Sequence, residues 1–527
     1  MRTSLAHATL WLAVLVAYAP VLTGAQHIWD DEAFLGNPLL LSLSGLFRVW
    51  FDPRSNTLEE HYWPVTYTVA YLLRTVWGSS PGAFHIVNVL IHAGNASLVY
   101  SIGRRVLAHH AFWGALLFAL HPLQVESVAW IVELKNVLSF FLAASSFLVF
   151  LSLEKKQTGK RLGMALGWSL FVAAMLSKSA VITWPLCAGL ILWCLPPGLT
   201  KTRIQFLAGL IVAALAVGAF DMWYASASKS AVPRFSIAER VAISGTGLLH
   251  YLRTWLWPSS LCATYAKWPL TPLALTVAVC VGIVMAGAVV ALARRAFHSR
   301  AARMALAWLV GTLALLAPTL GLIPFSYQRQ SFVADRFAYH ASAIFLPGVV
   351  AIMAAAWARM RLPARIGKIA LVVISCALAI STLHRAALYR DVEYLAIDTA
   401  EKNPHAWTAR YYLGDALARR GDFEKAMREF SSVFWGTLET FGRDEENLLQ
   451  QQLTKADAQD LRTHYNRGLL AARRGRTAEA KACFEKASIL PLLRGQAVLA
   501  IAAIELKNGE TTNALRRIRE LYGGATR

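Results

Sequence analysis

Acidic side chains are scarce in this chain. Its 527 residues carry 31 Asp and Glu against 52 Lys and Arg, a formal net charge of +21, and charged residues make up only 16% of the whole. Cysteine is sparse too, with six residues and no Cys-x-x-Cys pair. Cys187, Cys194, Cys280 and Cys376 lie within apolar runs, while Cys262 and Cys483 stand alone. That pattern argues against a disulfide framework, a zinc site or dithiol chemistry. A glycine-rich nucleotide-binding loop is also missing. What the chain has in abundance is hydrocarbon: 56% of its residues are hydrophobic and its mean hydropathy is +0.44. It is too apolar for an ordinary soluble enzyme.

Several apolar runs reach the roughly 17–25 residues that span a bilayer. The basic excess does not point to nucleic acid, because Lys and Arg gather between these runs: Arg104-Arg105, Lys155 to Arg161, Lys201 to Arg203, Arg294 to Arg303 and Arg359 to Lys368. Such clustering marks short cytoplasmic loops. Spans are predicted near 9–25, 84–103, 111–123, 136–153, 163–177, 180–196, 205–222, 273–293, 304–322, 337–358 and 366–384. The result is an all-α polytopic membrane protein with about eleven spans, its N-terminus cytoplasmic. The first segment resembles a signal peptide, but no small-x-small site stands out beyond Thr23-Gly24-Ala25, so it reads as a retained helix. Phe235–Leu261 is amphipathic and interrupted by Gly245 and Gly247, which suits a re-entrant or interfacial helix.

Residues 1–387 form the predicted membrane domain, and residues 388–527 a separate domain on the outer face. Within the first outer loop, 29–81, Leu39–Trp50 and Thr66–Trp77 read as interfacial helices. After Leu388 charged residues become dense and short paired helices replace the apolar runs. Gly475, Thr477 and Ala480 recur as Gly509, Thr511 and Ala514, at the roughly 34-residue period of TPR repeats. Gly421, Phe423 and Ala426 give an earlier copy, and a polar insertion containing Arg443-Asp444-Glu445-Glu446 follows it. A TPR solenoid is expected here, with a concave face for a protein partner.

The candidate chemistry faces outward. Asp30 and Asp31, in His27-Ile28-Trp29-Asp30-Asp31-Glu32, sit where the first apolar helix leaves the bilayer. A carboxylate at that level is costly without a role. One of the pair suits a general base whose pKa is raised by desolvation, and the other a helix cap. His121 and Glu126, five apart at a proline-broken helix end, are candidates for orienting a substrate hydroxyl. As a metal site they give only two ligands, a weak signal, so no cofactor is firmly expected. Arg336 offers a planar guanidinium for a phosphate, with Asp335 beside it, and Lys178 a second cation. Tyr62 is a substrate-side aromatic. Glu133 and Lys135 read as solvating their loop, Asn136 as a cap, and Asn88 and His92 as interhelical hydrogen-bonders.

Read together, these stretches resemble the transmembrane-and-TPR protein O-mannosyltransferases and their bacterial relatives. The resemblance rests on Trp29-Asp30-Asp31 to Asn37-Pro38, Phe84-His85-x-x-Asn88-x-x-x-His92, Phe118-Ala-Leu-His121-Pro122-x-x-x-Glu126-Ser-Val-Ala-Trp130, Leu176-Ser-Lys178-Ser and Ala334-Asp335-Arg336-Phe-x-Tyr339. It runs over essentially the whole chain. It departs at His61-Tyr62-Trp63-Pro64, where Tyr-x-Arg-Pro is expected, so Trp63 removes one cationic contact; the repeat array is also short. The resemblance implies a GT-C fold, a polyprenyl-phosphate sugar as donor and inverting transfer on the outer face to an acceptor protein held by the TPR domain. A transferase of the same fold acting on a lipid or envelope glycan is the alternative, and a non-catalytic scaffold the third reading. Richness in Ala, Arg and Leu fits a bacterial plasma membrane with a periplasmic site.

Overall fold

The structure, a computed structural model, describes residues 3–52, 55, 56, 59–154, 159–227, 232–439, 446, 447, 449, 450, 453, 454 and 461–523. Among the described residues there is no strand. The chain divides into two compact units, Met1–Asp391 and Val392–Arg527.

In the first unit each predicted segment falls on a helix: Thr3–Ala17, Pro81–Leu107, Ala111–Leu120, Leu134–Leu153, Gly159–Met175, Trp184–Cys194, Lys201–Ala227, Pro272–Ala296, Arg300–Leu316, Tyr339–Arg359 and Ala364–Leu388. Among the described residues seven helical stretches are long and apolar enough to cross a membrane, one of them Pro81–Leu120, which is made of the two helices Pro81–Leu107 and Ala111–Leu120. Thr3–Ala17 and Ser179–Cys194 are apolar but shorter. Burial ranks these helices. The apolar stretch of Ile131–Leu153 is 61% buried and that of Pro272–Ala296 only 6%, so the former lies at the centre and the latter at the rim. Close approach at the centre depends on small residues: a Cβ on Gly114 would lie 2.6 Å from the Cα of Pro347.

Phe235–Leu261 contains one continuous helix, Ile237–Leu256, opened by a capping box between Ser236 and Glu239. It is not among the apolar spans. Gly245 does not break it but admits Ala278, whose Cβ is 2.4 Å from where a side chain on Gly245 would start. The predicted interfacial segments of 29–81 fold as a short 3-10 turn, Pro38–Leu40, and the helices Leu43–Phe51 and Pro64–Trp77. Leu43, Phe47, Phe51, Leu72, Val76 and Trp77 are exposed on them, an apolar surface suited to the membrane interface. Part of the basic loop at 155–161, residues 155–158, and Arg443 to Glu445 of the insertion lie outside the described residues.

The second unit opens with Val392–Lys402 and continues as helix pairs: Trp407–Arg419 with Phe423–Glu439, Leu461–Arg473 with Thr477–Ala487, and Pro491–Lys507 with Thr511–Gly523. Gly421, Gly475 and Gly509 each make the turn within a pair at φ +84°, +75° and +83°, which explains why glycine recurs there. The pairs pack alike as well. A Cβ on Gly414 would meet the Phe430 ring at 2.8 Å, and one on Gly468 the Phe484 ring at 2.7 Å.

Candidate functional site

Two adjacent acids do different things. Asp31 opens the short helix Asp31–Leu35 and is fully buried. Its carboxylate accepts the Ile28 N–H at 2.9 Å and the Val132 N–H at 3.0 Å. It therefore ties the first outer loop to the segment before the central helix. Burial pushes its carboxyl well above the usual range, and the two backbone bonds pull against that shift. Asp30 stands at the N-cap position but makes no side-chain cap bond, and it is exposed. Desolvation raises its carboxyl, opposed by the charges of Lys135 and Arg336. The turn before them is forced: Trp29 adopts φ +48°, a conformation rare for a bulky residue.

The cations converge on a residue that the sequence reading left as loop solvation. The Glu133 carboxylate, 3% exposed, lies 3.2 Å from Lys178 Nζ, 3.7 Å from Lys135 Nζ and 3.6 Å from Arg336 Nε. Arg336 also pairs with Glu126 through Nη1, and its backbone N–H donates to the second Glu126 oxygen at 2.9 Å. Its guanidinium rests over the Tyr327 ring at 4.3 Å, with Phe337 and Trp130 at 5.0 and 5.3 Å. Asn136 braces this corner, donating to Ser127 Oγ at 3.1 Å and to the Arg336 carbonyl at 3.0 Å, so its side chain joins two segments rather than capping a helix. Three cations thus share two carboxylates. Burial lowers the Lys178 ammonium to about 8, while Glu133 works to keep it protonated. Lys135 lies 4.7 Å over the ring of Trp63, so the position where the resemblance called for a cation has a lysine stacked on it.

The other predicted residues lie around this cluster with partners of their own. His121 Nε2 bonds the Trp255 carbonyl at 3.0 Å, and its Nδ1 accepts the Leu123 N–H at 3.2 Å; both ring nitrogens are spent holding the proline corner. His121 and Glu126 are therefore engaged separately. Asp335 accepts from the Tyr265 hydroxyl at 2.6 Å and faces Arg385 at 3.8 Å, so it braces helix ends. Tyr62 donates to the Trp50 carbonyl at 2.7 Å, and its backbone N–H reaches Asp221 at 2.8 Å. Asn88 and His92 are buried and bridge helices, to the Trp130 carbonyl at 3.1 Å and the Tyr339 hydroxyl at 2.8 Å. Among the described residues no group of three or more His, Cys, Asp or Glu is placed to hold a metal ion. Glu133 and Lys135 are the residues the sequence reading missed. Their signal was the burial implied by Ile131-Val132 before them and an apolar helix after them.

Several curated proteins match part of the chain. It is 29% identical over 178 residues to Protein O-mannosyl-transferase Tmtc2 of Drosophila melanogaster, covering 30% of this chain and 19% of that protein. It is 30% identical over 198 residues to the human TMTC4 protein O-mannosyl-transferase, covering 32% and 26% of the two chains. Human TMTC1, another protein O-mannosyl-transferase, is 35% identical over 98 residues, covering 18% and 11%. This chain is a relative of the TMTC protein O-mannosyl-transferases. The matches span about a quarter or less of those relatives' own length. No protein-family model matches the chain, and no solved structure matches it.

Proposed function

We propose that this relative of the TMTC proteins is a membrane glycosyltransferase that moves a hexose, mannose in the first instance, from a polyprenyl-phosphate donor to Ser or Thr hydroxyls of an exported protein. One observation carries the reading: three cations with only two carboxylates between them stand beside an exposed carboxylate, Asp30, at the ends of apolar helices. A surplus positive charge in a partly dry corner suits a lipid phosphate.

In this reading Asp30 accepts the proton of the acceptor hydroxyl. The hydroxyl oxygen forms a bond to the anomeric carbon as the bond from that carbon to the phosphate oxygen breaks. The electron pair leaves with the polyprenyl phosphate, whose charge Arg336 and Lys178 stabilise. Attack opposite the leaving group inverts the anomeric centre. Asp31 holds the loop that carries Asp30, Glu126 and Asp335 hold the segment that carries Arg336, and His121 and Tyr62 stand as substrate-orienting residues at the edge of the site. Repeated helix pairs with matching glycine turns support a TPR-type array in the second unit, which would hold the acceptor. The placement is the plasma membrane, with site and array on the periplasmic side and the basic loops inside.

Mass spectrometry of exported proteins tests this in cells with the wild-type chain, without it, and with Asp30→Asn. Loss of a hexose from Ser or Thr peptides in both altered strains is the expected result. An unchanged glycoproteome with an altered envelope lipid or polysaccharide would move the acceptor to that class.

A further inference from the structure

We infer that Glu133 is the positioning residue of this site: it gathers Lys178, Lys135 and Arg336 around one carboxylate so that together they form a single phosphate seat. The inference rests on the donor-phosphate reading above and names the group that organises it. Three separate stretches of chain supply the cations, and Glu133 is the carboxylate that pairs with all three. Arg336 has a second carboxylate partner in Glu126, whereas the ion pairs of Lys178 and Lys135 are both with Glu133. Lysine side chains have flexible stems, and like charges this close repel one another unless a counter-charge fixes them.

Depth sets the order of the layers. The side chain of Glu133 is 3% exposed, against 14% for Lys178, 12% for Lys135 and 10% for Arg336. The carboxylate therefore stands behind the cations, and an incoming phosphate meets the cations first. Replacing Glu133 would remove no atom that touches the donor. Among the described residues it would leave Glu126, on Arg336, as the carboxylate ion-paired to this cation cluster.

Lys178 reports on this arrangement through pH. The charged and titratable groups around it are Glu133, Lys135, Arg336 and His340, and Glu133 is the acid among them that holds its proton. Binding that depends on the protonated ammonium weakens as pH rises through about 8. Without Glu133 that midpoint moves to lower pH, because the remaining charged neighbours are cations.

The test is binding of a long-chain polyprenyl phosphate to the full-length protein in nanodiscs, across roughly pH 6 to 10, with size-exclusion chromatography to follow folding. Glu133→Gln should weaken binding about tenfold or more at neutral pH and move the midpoint down. Glu133→Asp keeps the charge but draws it back by one methylene, so it should fall between the two in both readouts. If Glu133→Gln does not yield monodisperse protein, Glu133→Asp decides, with binding expected to be weakened about threefold. Wild-type affinity and midpoint in a folded Glu133 variant would overturn the inference and leave the donor reading standing. A monodisperse wild type that does not bind the lipid phosphate would overturn both.

Discussion

The two units use charge in opposite ways. In the membrane unit, charges are few, buried and shared: Glu126, Glu133 and Arg336 lie in one interior cluster, where Glu133 and Arg336 each have more than one charged partner and Glu126 takes two bonds from Arg336. In the helical tail they are many and mostly solvated, some along single helix faces, as in Lys402–Asp398, Arg419–Asp415 and Arg476–Glu479, and others between helices, as in Arg410–Glu429 and Arg420–Glu393. Solvated pairs contribute little, since water already satisfies both members. Buried charges cost several kcal/mol each unless every partner is in place. A chain with so few acids that nevertheless buries two of them, Glu126 and Glu133, at one corner is using them for something other than solubility. Among the described residues the tail buries one charge. Glu505 is 1% exposed and held by Lys481 at 2.8 Å and Arg517 at 2.9 Å.

Breaking the interior cluster should have the largest effect. Arg336→Met strips Glu126 of its cation and should cost about 3–5 kcal/mol of stability, seen as a fall in the detergent unfolding midpoint, together with loss of donor binding. Asp30→Asn sharpens the contrast from the other side. It should lower transfer by roughly 10²- to 10⁴-fold while shifting stability by less than about 0.5 kcal/mol. Asp31→Asn should do the reverse. It removes one of two bonds to buried backbone N–H groups, at about 1–3 kcal/mol, and leaves turnover per folded molecule close to wild type. If Asp31→Asn abolished turnover without loss of stability, the two acids would have to exchange roles. Glu505→Gln should destabilise the tail by about 1–3 kcal/mol, measured by its thermal transition. Glu479→Gln, on a half-exposed pair, should change it by less than about 0.5 kcal/mol.

Local pattern made much of the molecule legible. Apolar runs of membrane length became helices wherever they occurred, because in a bilayer the backbone must satisfy its own hydrogen bonds. The glycines of the tail repeats were legible for a similar reason, since their positive φ is a local demand that glycine meets without strain. The structure parts its two units after Asp391, three residues beyond the shift in composition at Leu388. Gly245 shows where the pattern misleads. It looked like a helix breaker, but the helix runs through it because Ala278 packs into the space a side chain would fill.

What the sequence determined by itself, then, is an all-helical, membrane-embedded chain with acids and cations gathered toward one set of helix ends. These follow from the solvent each segment prefers, and that preference is a property of the segment alone. Only the tertiary structure decided which of two adjacent aspartates is buried and which is exposed, because that depends on Val132, a hundred and one residues away, offering its N–H to Asp31. It likewise decided that Glu133 lies inside a cluster of cations. The side chains around it come from residues 135, 178 and 336, and no local spacing encodes the point in space where they meet.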